Sequence, residues 1–531
     1  MIIRRTLILI ATALIIAYTT GQAGAQQRVL RLDQAAPGRL DPSKVVDYAS
    51  SVLAFNAYDT LVIGDPKTGV TPSLAESWTI SPDGKEYQFK LRGGVKFHDG
   101  MTVSAEDVVF SLERTQALNA GYARLFQNIK AAAIDARTLE FTLQAPNSTF
   151  LATLVRLPVI NKALAMKNIR PGNYGDKGDY AEAFLNNNDA GSGAYRVIEH
   201  NPQELTVLSK FGDYFGQFLP KSPDTVRIRY GVEPATVRTL MGRREFEITS
   251  QWIPPEIKRA LSEIDGVSLV AELGSGYFIM PMNTKKPPTD DVEYRRAVAL
   301  AIDYEALIEL MKVTPTVAGA APMVGMLPSG LLGHDKSLTP NRRDLAAAKA
   351  ALARSKYGSN PPPLELIWVA EVSVEEKIGL LVFQNLAEAG IKVNLTKVPW
   401  TLLTQQVTKP ESAPNMTQRF VQAPFPDPDS LISQAHSRFM GTTIKMDWFA
   451  DPEVDKLIDE ATTTVDETKR REYYVQVQRR LTDSISSIYP FETVATFAKQ
   501  NYVKAAMLDD TSKGVAVQGG NWIFRTFEVD R

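Results

Sequence analysis

The stretch PSLAESWTISPDGKEYQFKLRGGVKFHDGMTVSAEDVVFSL, residues 72–112, carries three local signals in succession. Trp78 and Ile80 run into Ser81-Pro82-Asp83-Gly84, a turn sequence with proline and glycine at favourable places. Beyond it Tyr87, Phe89 and Leu91 alternate with Gln88 and Lys90, the period-two pattern of a strand with one buried face. A β-hairpin is therefore predicted over 74–91. Asp99-Gly100 makes a second turn. Ser104, with Asp107 three residues later, predicts a helix N-terminus whose apolar positions are Val108, Val109 and Leu112.

Moving outward, glycine, asparagine and aspartate crowd residues 186–193, which predicts a connection between folding units. Strands are expected at 195–198, 205–208, 226–230 and 276–283, the last ending at the breaker Lys285-Lys286-Pro287-Pro288. Helices then dominate. Ala297, Leu300, Ala301, Tyr304, Leu307, Ile308 and Met311 fall on one face, so one amphipathic helix is predicted over 291–312. Ser373 and Glu376 predict a capping box for a helix stopping at Gly390, followed by a strand through Ile391, Val393 and Leu395. Asp451-Pro452 opens another helix with Val454, Leu457, Ile458 and Ala461 inward, and a further one over 468–484 buries Tyr474, Val477 and Leu481. Helix, glycine stop, strand is the unit of an α/β domain. The chain reads as mixed α/β with at least two lobes and no solenoid or propeller period.

At the N-terminus Arg4 and Arg5 precede an apolar run over 7–17, and Ala23-Gly24-Ala25 supplies small residues for cleavage. This predicts a secretory signal peptide over 1–25, cut before Gln26. The run is too short to cross about 30 Å of hydrocarbon as a helix. The remaining chain has 57 basic against 60 acidic residues, a net charge near −3, with nothing of the basic surface that nucleic-acid binding requires. A soluble periplasmic protein is the expectation, and no cysteine stands near the cleavage site to carry a lipid anchor.

Catalytic signals are missing from the sequence. Ser192 lies in Gly191-Ser192-Gly193, but Ala190 and Ala194 occupy the outer positions of a nucleophile elbow. Gly274-Ser275-Gly276 is followed by Ile279 where a dinucleotide fingerprint needs its third glycine. His98, His200, His334 and His436 are far apart, and there are no cysteines, so no metal site and no thiol chemistry is expected. No enzyme and no cofactor is predicted. His98 is expected to be a structural side chain.

Taken together, PSLAESW, the Ser-Pro-Asp-Gly turn, LRGGVKFHDG over 91–100 and SAEDVVFSL over 104–112 resemble the family 5 extracellular solute-binding proteins of ABC importers, a group with dipeptide-, oligopeptide- and nickel-binding members. Gly191-Ser192-Gly193-Ala194-Tyr195, Arg295-Arg296-Ala297-Val298, Ala301-Ile302-Asp303 and Phe425-Pro426-Asp427-Pro428-Asp429 extend the likeness over nearly the whole mature chain. The resemblance implies an α/β, bilobal periplasmic binding protein fold with an additional subdomain inserted in the first lobe. By that analogy lobe I comprises 26–63, 195–284 and 488–531, the inserted subdomain 64–194, and lobe II 285–487. It also implies a monomer that captures a small polar ligand, peptide-like above all, and docks on membrane permease subunits. An opine, an oligosaccharide or a metal chelate is the alternative cargo; an exported hydrolase or a periplasmic sensor or chaperone is the alternative class.

Binding needs a concave pocket with aromatic walls and a few placed polar groups. Three loops offer them: Ser250-Gln251-Trp252-Ile253-Pro254-Pro255, Val398-Pro399-Trp400, and residues 422–429. Trp252, Trp400, Phe425 and Asp427 are the candidate ligand contacts, while Asp303 and Asp429 read as capping groups. In peptide-binding members an aspartate three positions before the late acidic-Pro dipeptide grips the ligand's ammonium. Here that dipeptide is Asp427-Pro428 and the position is Pro424, which cannot pair with an ammonium. Either another carboxylate does that task, with Asp427 the nearest candidate, or the ligand is not an ordinary free-amine peptide.

Overall fold

The computed structural model describes residues 27–531 apart from Pro66, Gly330, Ser359, Glu371 and residues 511–516. The expected signal at 1–25 lies outside the described residues. Two long strands, Val267–Pro281 and Ser487–Gln500, run antiparallel and tie the lobes together. Their Val267/Gln500 end packs into first-lobe clusters containing Val237, Leu261, Phe497 and Trp522. Their other end, with Phe278, Met280, Ile488 and Phe491, enters the second-lobe core. The first strand begins earlier than its sequence pattern suggested, because pairing carries it through the glycine pair with a register shift between Leu273 and Tyr277. Gly276 is required there: a Cβ would collide with the Val421 carbonyl of the neighbouring strand.

The first lobe holds a four-stranded sheet in the order Val29–Gln34, Thr225–Tyr230, Leu205–Lys210, Tyr195–Asn201, the first pair parallel. A separate sheet lines up Ala75–Ile80, Glu86–Leu91, Thr138–Leu143 and Ile129–Ala133 over its own core, which spans Leu61 to Val159. The predicted hairpin forms there, with Trp78 opposite Phe89 and Ile80 opposite Tyr87. Tyr87, Phe89 and Leu91 point inward and their neighbours outward, as period-two alternation requires. Ser104 and Asp107 close a capping box on helix Ala105–Leu118. From that helix Arg114 reaches back to Asp41 with two hydrogen bonds, 2.7 and 2.6 Å, and both side chains are fully buried.

In the second lobe, strands Leu364–Val369 and Val393–Val398 pair in parallel and are covered by helices Val292–Ala301, Leu345–Arg354 and Ser373–Glu388. Two local expectations are corrected. The helix expected over 291–312 is two helices, Val292–Ala301 and Tyr304–Leu310, because Asp303 caps the second by accepting from the Ala306 amide. Ser373 begins its helix without a capping box: Val372 is the cap residue and Glu376 pairs with Lys397 at 2.7 Å instead.

His98 is structural. Its Nδ1 lies 2.7 Å from the Asp189 carboxylate and its Nε2 2.9 Å from the Gly193 carbonyl. Both partners only accept, so the ring satisfies both when it carries two protons. Burial pulls its pKa down, but the bond and charge of Asp189 and the Gly193 carbonyl outweigh it, leaving the pKa raised. A raised folded-state pKa stabilises fully below the unfolded value and fades as pH climbs through the folded one. His98→Gln should therefore cost more stability at about pH 5 than at about pH 9. Urea unfolding of both proteins at the two pH values checks this; an unchanged gap contradicts a doubly protonated His98.

Candidate functional site

The loop 250–254 and the helix it feeds, Pro255–Ser262, face the start of helix Ser373–Glu388 across a cavity of about 100 Å³. Thr493 to Thr496 of the second long strand, together with Phe420 and Gln422 of strand Arg419–Gln422, complete the lining. First-lobe and second-lobe residues therefore share one chamber. Trp252 forms part of its wall and meets Phe420 edge-on at 6.0 Å and Tyr48 edge-on at 6.1 Å. Pro254 and Pro255 follow it, fixing the backbone that presents the indole.

Asp33 anchors the base of this loop. It accepts from the Ser250 amide at 3.1 Å and the Ser250 hydroxyl at 2.8 Å, while burial lifts its pKa to about 6. Lys258, on the helix, is almost fully buried and donates to the Gln251 carbonyl at 2.7 Å and the Thr496 hydroxyl at 2.8 Å. Burial lowers its pKa to about 7 against the pull of Asp33. Two atoms of lining residues, Gln251 Nε2 and Thr493 Oγ1, are buried with no hydrogen-bond partner among the described residues. Buried polar atoms are nearly always paired. Two unpaired ones in a single chamber with aromatic walls make it a place for a polar guest.

The four candidate contacts do not converge. Trp252 lines the chamber, whereas Trp400 begins helix Trp400–Gln406, is 40% exposed and lies outside the lining. Phe425 is 2% exposed and inserts from the second lobe into the apolar core spanning Leu61 to Val159. Asp427 is engaged twice: it pairs with Arg470 at 2.7 Å and accepts from the Asp429 amide at 2.9 Å. Asp429 accepts from Thr462 at 3.2 Å, and burial followed by the Asp427 charge lifts its pKa to about 7.

Residues that the sequence patterns passed over hold the lobes together. The Arg156 guanidinium, buried and stacked on Phe55 and Tyr122 at 5.0 and 4.8 Å, donates to the Pro424 carbonyl, to the Ser51 hydroxyl at 3.1 Å and to the Gln518 carbonyl at 3.0 Å. Gln518 in turn donates its amide to the Ala423 carbonyl at 2.8 Å. Glu256 and Lys377 pair at 2.5 Å beside the chamber, and the Ser148 amide donates to the Thr462 carbonyl at 2.9 Å. Only Gln251 had a signal, as Trp252's neighbour; Arg156 and Lys258 look like ordinary surface cations in one dimension.

A two-lobed chain with a polar-and-aromatic chamber between its lobes is the architecture of a capture protein. The family described as bacterial extracellular solute-binding proteins, family 5, middle, matches residues 69–440. This chain belongs to that family. It is a solute-binding component of the ABC-importer class and not an enzyme. It is 27% identical over 508 residues to the probable D,D-dipeptide-binding periplasmic protein DdpA of Escherichia coli K12, covering 93% of this chain and 94% of the relative. It is 26% identical over 485 residues to the probable deoxycholate-binding periplasmic protein YgiS of the same strain, covering 86% of each. Among solved structures, the periplasmic binding protein DppA of Helicobacter pylori in complex with the peptide STSA superposes with a TM-score of 0.80 at 24% identity, covering 96% of this chain and all of that one. Among the described residues no helix is long and apolar enough to cross a membrane, and no cluster of metal-ligating side chains occurs.

Proposed function

We propose that this solute-binding protein captures a peptide-like ligand in the periplasm, closes its lobes over it, and delivers it to the permease of an ABC importer. The observation that carries this reading is the chamber around Trp252, where Gln251 Nε2 and Thr493 Oγ1 await partners under aromatic cover. The relative named for D,D-dipeptides supports the ligand class. The periplasmic relatives support the location, and residues 1–25 are assigned as the export signal. We divide the chain as lobe I at 26–63, 195–284 and 488–531, inserted subdomain at 64–194, and lobe II at 285–487, acting as a monomer. Trp252 is the assigned ligand contact, Phe425 serves the approach of the lobes by entering the core of the inserted subdomain, and Asp427 is held by Arg470 within lobe II.

A ligand drives closure only by its differential affinity for the closed state; moving the population from 1:99 to 99:1 takes about 5.5 kcal/mol. Small-angle scattering with a dipeptide library should show compaction, accompanied by a change in tryptophan fluorescence. Trp252→Ala should weaken binding by about tenfold to a hundredfold while Trp400→Ala leaves it nearly unchanged, as isothermal titration would register. Equal losses in both variants would remove Trp252 from the contact surface.

A further inference from the structure

A peptide-like ligand with a free amino end needs a carboxylate, and the two obvious ones are committed: Asp427 to Arg470, and Asp33 to Ser250. Glu256 is held by Lys377. Glu272 is different. It sits mid-strand in Val267–Pro281, directly opposite Ala495, which lines the chamber. Paired residues on antiparallel strands share a face, so Glu272 projects to the side of Ala495 and Thr493, the side of Tyr48 and Trp252. Glu272 lies near enough to Tyr48 for its charge to oppose ionisation of the phenol, and Tyr48 packs edge-on against Trp252.

The other charged groups around it are engaged. Lys499, four positions along from Ala495 on the same face, donates to the Val503 carbonyl at 2.7 Å and pairs with Asp509 at 3.2 Å. Lys258 bonds Thr496, which alternates to the opposite face. Among the described residues nothing hydrogen-bonds or ion-pairs with the Glu272 carboxyl, and burial alone lifts its pKa to about 8. Glu272 is half-buried, and its surroundings favour the neutral carboxyl until a cation comes to stand beside it.

We propose that Glu272 is the anchor for the ligand's ammonium group, taking the part that Pro424 cannot. This assignment rests on the peptide-receptor reading. In the empty protein the carboxyl holds its proton near neutral pH. An incoming ammonium stabilises the carboxylate, so capture releases that proton to solvent. Affinity for an amine ligand should therefore tighten as pH rises toward about 8, approaching about tenfold per pH unit at the acid end, until the ligand's own amine deprotonates.

The test is calorimetric titration of the mature chain with a free dipeptide library and with the same library N-acetylated. Acetylation should weaken binding by about tenfold or more, and Glu272→Gln should erase the difference. Titrations in buffers of different ionisation enthalpy should reveal a released proton in the wild type and none in Glu272→Gln. This measurement on the wild type stands even if the variant folds poorly. Acetylated members binding as tightly as free ones, or a free-amine preference that survives Glu272→Gln, overturns the anchor while sparing the receptor. Failure of both libraries to bind counts against the peptide reading and takes the anchor with it.

Discussion

Arg114→Met should lower the unfolding free energy by about 3–5 kcal/mol, the cost of stranding a buried carboxylate without its partner. Arg114 and Asp41 are both fully inaccessible, and their paired bonds of 2.7 and 2.6 Å leave no room for water to replace the guanidinium. The loss spreads further than one pair. Arg114 Nε also donates to the Tyr180 carbonyl at 2.8 Å, and Asp41 accepts from the Ser43 amide at 3.1 Å. One side chain thus fastens residues 41–44, the helix Ala105–Leu118 and the segment near 180 to each other. Denaturant unfolding should show the midpoint falling sharply, with ligand affinity of the folded fraction preserved. Replacing both partners, Arg114→Met with Asp41→Leu, should restore most of the stability, since an apolar pair needs no counter-charge. A double variant as unstable as the single one would place the energy in the Tyr180 and Ser43 bonds instead.

The second large effect concerns closure rather than folding. Arg156→Met should shift the population toward open by about tenfold to a hundredfold, the equivalent of about 1.5–3 kcal/mol for a charge-assisted bond across the interface. Its guanidinium is buried among Phe55, Tyr122, Ser51 and Gln518 on one side and meets the Pro424 carbonyl on the other. Opening the lobes exposes that carbonyl to water, so the loss of this bond weighs on the closed form, whereas the loss of the Ser51 and Gln518 bonds weighs on both forms. Ligand affinity should fall by up to that factor, and the radius of gyration without ligand should rise to the extent that the empty wild type is closed. Thermal unfolding of the first lobe should change less than closure does. A variant that keeps the wild-type scattering profile with and without ligand would remove Arg156 from the clasp.

Fold was legible wherever the determinants were local. The hairpin at Trp78/Phe89 and the cap at Ser104/Asp107 depend on alternation and on a side chain three residues away, so one dimension records them. The helix over 291–312 was misread because Asp303 interrupts the apolar stripe without disturbing its period. The Ser373 cap failed because Glu376 had a better partner, Lys397, on a strand that folds alongside. The site was harder to read. Trp252 advertised itself by its prolines, but Glu272 differs from other glutamates only in what surrounds it after folding. Asp427 stands out in the sequence by its place beside Pro428, and what engages it is Arg470, 43 residues away.

The first-lobe core joins Leu30 and Leu32, from the start of the described chain, to Trp522, Phe524 and Phe527 near its end. Nearly the whole polypeptide lies between these two sets of side chains. Loop closure over such a span must be met before that core can form, so the first lobe cannot consolidate while its last residues are missing. A nascent chain lacking residues 517–531 should stay loose in that lobe, however complete the rest has become. In synthesis from N- to C-terminus, the strand that opens the lobe therefore waits for residues 522–529 before its own core can close around it.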